Sequence, residues 1–267
     1  MNYDLVISSQ PSKVDIALLK DKKLLELHEE SGDSAFQVGD LYLGRVHKVM
    51  PGLNAAFINV GYEKDGFQHY LDLGPKVKTM MKFIDLTRAG KLKSPMLDRF
   101  RPEAEIEKSG KINDVLSQGK EILVQVAKEP ISTKGPRLSC EITIPGRYIV
   151  LTPFANMVAV SKKISSSEER KRLQKLAESI RPKNFGVIVR TAAEGKKVAD
   201  LHEEMSMLME KWQDIQQQLK NAAPPVKLLS ELDKTTSILR DLLTDSFNRI
   251  VVNDKQLYNN VKTFLGS

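Results

Sequence analysis

The stretch DLYLGRVHKVMPGLNAAFINVGYEKDGFQHYL, residues 40–71, alternates apolar and polar positions and places glycine at its corners. Leu41, Leu43, Val46 and Val49 form a first predicted strand, ended by the Met50-Pro51-Gly52 turn. Leu53 to Val60 is the second, Gly61 to Gly66 a polar loop, and Phe67 to Leu71 the third. Further on, Glu121 to Ala127 (EILVQVA) and Leu138 to Ile144 supply two more. Short strands with glycine corners in this number predict a small closed barrel, for which the OB-fold is the usual five-stranded solution.

Upstream of the barrel, Tyr3 to Ser8, then Val14, Ile16 and Leu18, then Leu24, Leu25 and Leu27 repeat with period two around the polar turn Lys20 to Lys23. That spacing predicts a hairpin rather than a helix. Between the third and fourth barrel strands lies Asp72 to Gln118, with ten Lys or Arg against seven Asp or Glu, breakers at Pro75, Pro95 and Pro102, and a weakly amphipathic piece from Met80 to Leu86. An excursion of this length reads either as a basic loop over a binding face or as a tolerated surface insertion.

Beyond Gly146 the texture is mixed. Tyr148 to Thr152 and Val158 to Ser161 read as strands, and Ser166-Ser167-Glu168-Glu169 has capping-box spacing before a basic helix that Pro182 closes. Gly186 to Arg190 (GVIVR) reads as a strand buried on both sides. Val198, Leu201, Met205, Leu208, Trp212, Ile215 and Leu219 form an apolar helical seam that Pro224-Pro225 ends. The seam covers either the chain's own sheet or a second protomer; the strands beside it favour the first. A helix from Thr235 to Leu243, a strand from Arg249 to Val252 and a helix from Asp254 to Phe264 complete the pattern.

The 267 residues are 41% apolar and 28% charged, enough for several buried cores. A single cysteine, Cys140, excludes an intramolecular disulfide framework and fits a reducing, cytoplasmic setting. No stretch approaches the apolar length that spans a bilayer, so a membrane partner is not expected. Charge is uneven: 4 Lys or Arg against 8 Asp or Glu in residues 1–40, 29 against 17 in residues 41–200, and 8 against 9 in residues 201–267. The central excess suits a polyanion, nucleic acid foremost, or a basic solvated surface.

Two groups of residues carry possible chemistry. Phe57 and Phe67 flank a glycine-bounded turn and read either as core or as base-stacking rings, with the cations Lys128, Lys134 and Arg137 on or beside the later strands. Val189-Arg190-Thr191-Ala192 brings a guanidinium and a hydroxyl to the end of an apolar strand, and Gly146 permits close backbone approach. Together these suit a terminal phosphate monoester, against the simpler reading of a surface Arg at a strand end. No catalytic constellation is legible. His28, His47, His69 and His202 are scattered, and Asp241, Asp245 and Asp254 read as helix-face or cap residues before metal ligands.

Gly44-Arg45-Val46, Leu53 to Phe57, Val60-Gly61, Gly66-Phe67, Gly119 to Glu129 (GKEILVQVAKE), Lys134-Gly135, Gly146 to Pro153 (GRYIVLTP), Ser161 to Ile164 (SKKI) and Gly186 to Ala192 (GVIVRTA) follow one another in an order that resembles the ribonuclease E/G endoribonucleases, essentially end to end. The resemblance implies an α+β, multi-domain chain. In it an OB-fold RNA-binding barrel (38–138, with the insertion 72–118) is inserted in a ribonuclease-H-like fold (1–37 and 223–267) and followed by a mixed α/β five-prime-sensor domain (139–222). It implies that Phe57, Phe67 and Lys134 contact single-stranded RNA, and that Arg190 and Thr191, with backbone at Gly146 and Val150, hold a 5′-monophosphate.

Relatives of this kind continue into a catalytic domain whose paired Asp residues bind Mg²⁺ and into a Cys-Pro-x-Cys zinc link that joins protomers into a homo-oligomer. Neither pattern occurs in these 267 residues. The expectation is therefore the recognition half of a Mg²⁺-dependent endoribonuclease of RNA processing and decay, with a non-catalytic RNA-binding adaptor as the alternative.

Overall fold

A computed structural model of the chain describes residues 3–10, 13–31, 36–92, 94–230, 237, 239–240 and 247–265. The chain divides into two compact units, Met1–Ala35 with Leu232–Ser267, and Phe36–Glu231.

In the first unit β1 (Tyr3–Gln10), β2 (Lys13–Lys20) and β3 (Lys23–Ser31) form an antiparallel meander, and β14 (Phe247–Val252) adds to β1 in parallel. The turn between β2 and β3 sits at Asp21 and Lys22, both at positive φ, inside the expected polar turn. Leu5, Ile7, Ile16 and Leu18 alternate onto one face and pack with Leu239 and Val261. The Asp254 side chain accepts the Leu257 N–H at 2.7 Å and starts the last helix (Lys255–Leu265), so this aspartate is a cap. Asp241, Asp245 and most of the expected helix from Thr235 to Leu243 lie outside the described residues.

The second unit opens with the barrel: β4 (Leu41–Met50), β5 (Ala55–Asn59), β6 (Gly66–His69), β7 (Glu121–Lys128) and β8 (Arg137–Ser139). Their order is β4-β5-β6-β8-β7, and a further β4–β7 ladder closes the sheet, giving a five-stranded OB-like barrel among the described residues. Every pairing is antiparallel except β6 with β8. Gly44 is where β4 passes close to β5, since a Cβ there would lie 2.6 Å from Ile58 Cγ2 and 3.0 Å from the Asn59 carbonyl oxygen. β13 (Val226–Leu229) then lies along β4, held also by the Lys227–Asp40 ion pair at 2.6 Å. This places residues 226–229 in the larger unit, whereas the sequence reading begins the second part of the outer fold at 223.

Residues 72–118 are neither a loose loop nor a surface insertion. Helix α1 (Val77–Arg88) sends Val77, Met80, Phe83 and Ile84 into the core, and Leu97, Phe100, Ile112 and Leu116 join it. Its basic residues occupy the outer side, which is why composition alone disguises a packed segment. Asn54, in the left-handed conformation (φ +48°), ties the β4–β5 turn to this segment: its Oδ1 accepts the Ile112 N–H at 2.7 Å and its Nδ2 donates to the Gly110 carbonyl at 3.1 Å.

The expected strand Leu138 to Ile144 breaks in two. The Cys140 N–H donates to the Asp72 carbonyl and the Thr143 N–H to Gln125 Oε1, so these amides leave the ladder. β9 (Ile144–Pro145) then joins a second sheet of order β11-β12-β10-β9, with β10 (Ile149–Pro153), β11 (Val158–Val160) and β12 (Phe185–Val189). β12 is buried at Phe185, Val187 and Val189, but Ile188 is 36% exposed, so the strand is covered on one face rather than both.

Helices α2 (Ser167–Ile180) and α3 (Val198–Asn221) cover this sheet. The α3 seam packs within the unit, against β10, β13, α1 and α2, and only its first member, Val198, is exposed, at 44%. Trp212 is fully buried, stacked on Phe83 with centroids 5.0 Å apart, and donates its indole N–H to the Pro95 carbonyl at 3.0 Å.

Candidate nucleic-acid interface

Alternation along β5 and β6 decides where the two phenylalanines point. Ala56, Ile58, Gly66 and Gln68 face inward and are buried, so Phe57 and Phe67 face outward and are half-buried. They are direct cross-strand partners, with ring centroids 5.8 Å apart. The register continues on both sides: Phe57 opposes Lys48, Phe67 opposes Arg137, and Arg137 opposes Lys128. One residue from each barrel strand therefore forms the row Lys48, Phe57, Phe67, Arg137, Lys128. With strands spaced 4.7–4.9 Å, this band runs for roughly 19 Å of contour.

Bulges next to Lys48 and Lys128 shift the register at the point where each of those strands joins the row. Arg137 is held along the band by Asp72, its Nε and terminal nitrogen lying 3.0 and 2.9 Å from Oδ2. The His69 ring stands 6.5 Å from that of Phe67, and its Nδ1 accepts the Leu71 N–H. Lys134 lies off the row, exposed on the β7–β8 hairpin. Gly135 fits that hairpin tightly against the β5–β6 loop, where a Cβ would be 2.1 Å from the Asp65 carbonyl oxygen. Rings set between cations are the kind of surface on which unpaired bases can stack while the cations attract phosphates.

Gly146, Val150, Arg190 and Thr191 converge at one end of the second sheet. The Arg190 guanidinium donates to the Gly146 carbonyl at 2.8 Å, and the Arg190 N–H to the Tyr148 carbonyl at 2.7 Å. Thr191 Oγ1 is exposed and 3.0 Å from Ser161 Oγ. Val150 opposes Ile188 on β12. Several backbone amides nearby are taken up by carboxylates of the chain itself. Glu204 of α3 receives the N–H groups of Arg147, Tyr148 and Ile149 at 2.5, 2.8 and 2.8 Å. The Gly195 N–H goes to Glu169 at 2.8 Å, and the Lys197 N–H to Asp200 at 2.7 Å. Burial raises the Glu204 carboxyl above its ordinary range, opposed by those three amides and by the charge of Arg190.

Lys48, His69 and Glu204 escaped the sequence reading. Lys48 has a detectable signal, being a cation within a strand just before its closing turn; Glu204 has none, because its partners lie more than fifty residues away. Among the described residues no group of three or more His, Cys, Asp or Glu is placed to hold a metal ion, and no helix is long and apolar enough to cross a membrane.

A family model described as the ribonuclease E/G family matches residues 143–267. Over 250 residues the chain is 37% identical to "Ribonuclease E" of Nostoc sp. (strain PCC 7120), covering 93% of this chain and 32% of that protein. Over 264 residues it is 32% identical to "Ribonuclease G" of Escherichia coli (strain K12), covering 99% of this chain and 50% of that protein. "Ribonuclease G" of Haemophilus influenzae is 31% identical over 261 residues, 98% of this chain and 49% of that protein. The chain thus spans from about a third to half the length of these relatives.

Proposed function

The chain belongs to the ribonuclease E/G family, and from that membership we propose that it forms the RNA-holding and 5′-monophosphate-reading portion of a cytoplasmic endoribonuclease that acts on single-stranded RNA in RNA processing and decay. The observation that carries the proposal is the outward row Lys48, Phe57, Phe67, Arg137, Lys128. Its rings stack two unpaired bases while its cations take the flanking phosphates, and Lys134 on the neighbouring hairpin extends the basic surface. The Arg190 guanidinium and Thr191 hydroxyl, beside Gly146 and Val150, receive the terminal phosphate. That group carries more charge than an internal phosphodiester and so gains more from a guanidinium. In this proposal residues 1–37 and the segment after β13 build the ribonuclease-H-like fold, 38–138 the RNA-binding barrel, which β13 joins along β4, and 139–222 the five-prime-sensor domain.

In this proposal Mg²⁺, which the family resemblance implies for cleavage, serves the whole enzyme, and the part played by these residues is to grip and orient RNA. Binding of a fluorescent single-stranded RNA, carrying either a 5′-monophosphate or a 5′-hydroxyl, tests the proposal. The chain is expected to prefer the monophosphate, and Arg190→Ala to abolish that preference while leaving 5′-hydroxyl binding unchanged. Equal affinity of the unaltered chain for the two ends would overturn the 5′-end reading, and loss of neither affinity on Phe57→Ala would overturn the barrel reading.

A further inference from the structure

Three consecutive amides that converge on one anion form a nest, an arrangement that suits phosphate. Here the nest of Arg147, Tyr148 and Ile149 closes on the carboxylate of Glu204. The fit is close on the glycine side too, since a Cβ on Gly146 would fall 2.6 Å from Glu204 Cδ and 2.8 and 2.9 Å from its two oxygens. Gly146 therefore makes room for an internal carboxylate, reached from helix α3. The same loop orders Arg190, which donates from its side chain to Gly146 and from its backbone to Tyr148.

From this chain of contacts we infer that Glu204 is a positioning residue of the phosphate-reading site: it holds the 146–149 loop so that the loop's carbonyls aim Arg190 at the terminal phosphate. The inference rests on the reading of Arg190 and Thr191 as the 5′-monophosphate site. Two consequences follow from it. The amides of residues 147–149 do not bind the RNA phosphate, because a carboxylate already satisfies them. Selectivity comes from the guanidinium and hydroxyl, whose direction depends on a loop that Glu204 fixes through charge-assisted hydrogen bonds.

The experiment measures the affinity of the full chain for one single-stranded RNA with a 5′-monophosphate and with a 5′-hydroxyl. It compares the unaltered chain, Arg190→Ala, Glu204→Gln and Glu204→Asp. Both Glu204 variants keep a polar oxygen, and a barrel grip that is independent of this loop makes 5′-hydroxyl affinity a check that the protein is folded. The expected result is at least about a fivefold fall in the ratio of the two affinities for Glu204→Gln, with 5′-hydroxyl affinity within about twofold of the unaltered chain. A smaller fall is expected for Glu204→Asp, which keeps the charge.

Full preference in both Glu204 variants, alongside loss of preference in Arg190→Ala, would overturn the role of Glu204 and leave the phosphate site standing. Absence of any preference in the unaltered chain would overturn both. Loss of 5′-hydroxyl binding in both Glu204 variants would make Glu204 a group that maintains the fold, and would equally overturn the inference.

Discussion

Phe57 and Phe67 meet edge to face across the β5–β6 ladder, their ring planes inclined at 67° and their centroids 5.8 Å apart. A pair locked in this way is already ordered before any ligand arrives, so little side-chain entropy is lost when a base stacks on it. Each substitution Phe57→Ala or Phe67→Ala is expected to weaken single-stranded RNA binding by roughly 1–3 kcal/mol. The measurement is a binding titration, with thermal unfolding alongside. Because both rings are half-buried on the outer face, the loss of affinity is expected to exceed the loss of stability.

The cations that end the row have a different signature. Lys48→Ala and Lys128→Ala remove positive charge without removing a ring, so they should weaken binding of all RNA sequences alike. For every phosphate left without its cation, the steepness of log affinity against log salt should fall by about 0.7 for single strands. Titrations at several salt concentrations check this, and an unchanged slope in both variants would remove these lysines from the interface.

Asn54 gives a stability prediction in which backbone and side chain separate. Replacement by Ala forces a Cβ-bearing residue without a local hydrogen bond to hold φ +48° and leaves the Ile112 N–H without its partner. A loss of about 2–3 kcal/mol is expected in urea unfolding. Asn54→Gly relieves the backbone part alone and should recover some of that loss.

Glu169 makes stability depend on acidity. Its side chain accepts two hydrogen bonds from Arg172 and one from the Gly195 amide, and these hold its carboxyl at about 2, below the ordinary carboxylate range. A carboxyl depressed in the folded chain contributes stability that is complete above its unfolded value of about 4.5 and fades as pH falls toward 2. The site is near the surface, so the contribution is about 0.5–1 kcal/mol. Unfolding of Glu169→Gln beside the unaltered chain should show that difference at neutral pH and its disappearance on acidification.

Much of the local structure is legible residue by residue. The glycine corners around Leu53 to Gly66 and the apolar residues Leu41, Leu43, Val46 and Val49 mark the barrel strands. The hydroxyl of Ser166 caps α2 by accepting the Glu169 N–H, as its spacing implies. The seam from Leu201 to Leu219 is buried as a helix period requires. The same reasoning fails for Glu169, whose carboxylate goes to Arg172 and Gly195 in place of the reciprocal cap bond, because a distant amide competes for it. It fails again for Asp72 to Gln118, where charge and proline obscure Phe83 and Phe100.

What these 267 residues determined by themselves is where most of the barrel strands and the long apolar-seamed helix lie, and that phenylalanines 57 and 67 with several cations belong to a basic barrel. Those properties follow from periodicities and turn residues that each segment carries within a few positions. Only the tertiary structure decided that β6 runs parallel to β8, that bulges bring Lys48 and Lys128 into line with the rings, and that Glu204 fills the nest beside Arg190. Register and hydrogen-bond partnership are set by backbone groups far apart in the chain competing for one another, and no local pattern encodes the outcome of that competition.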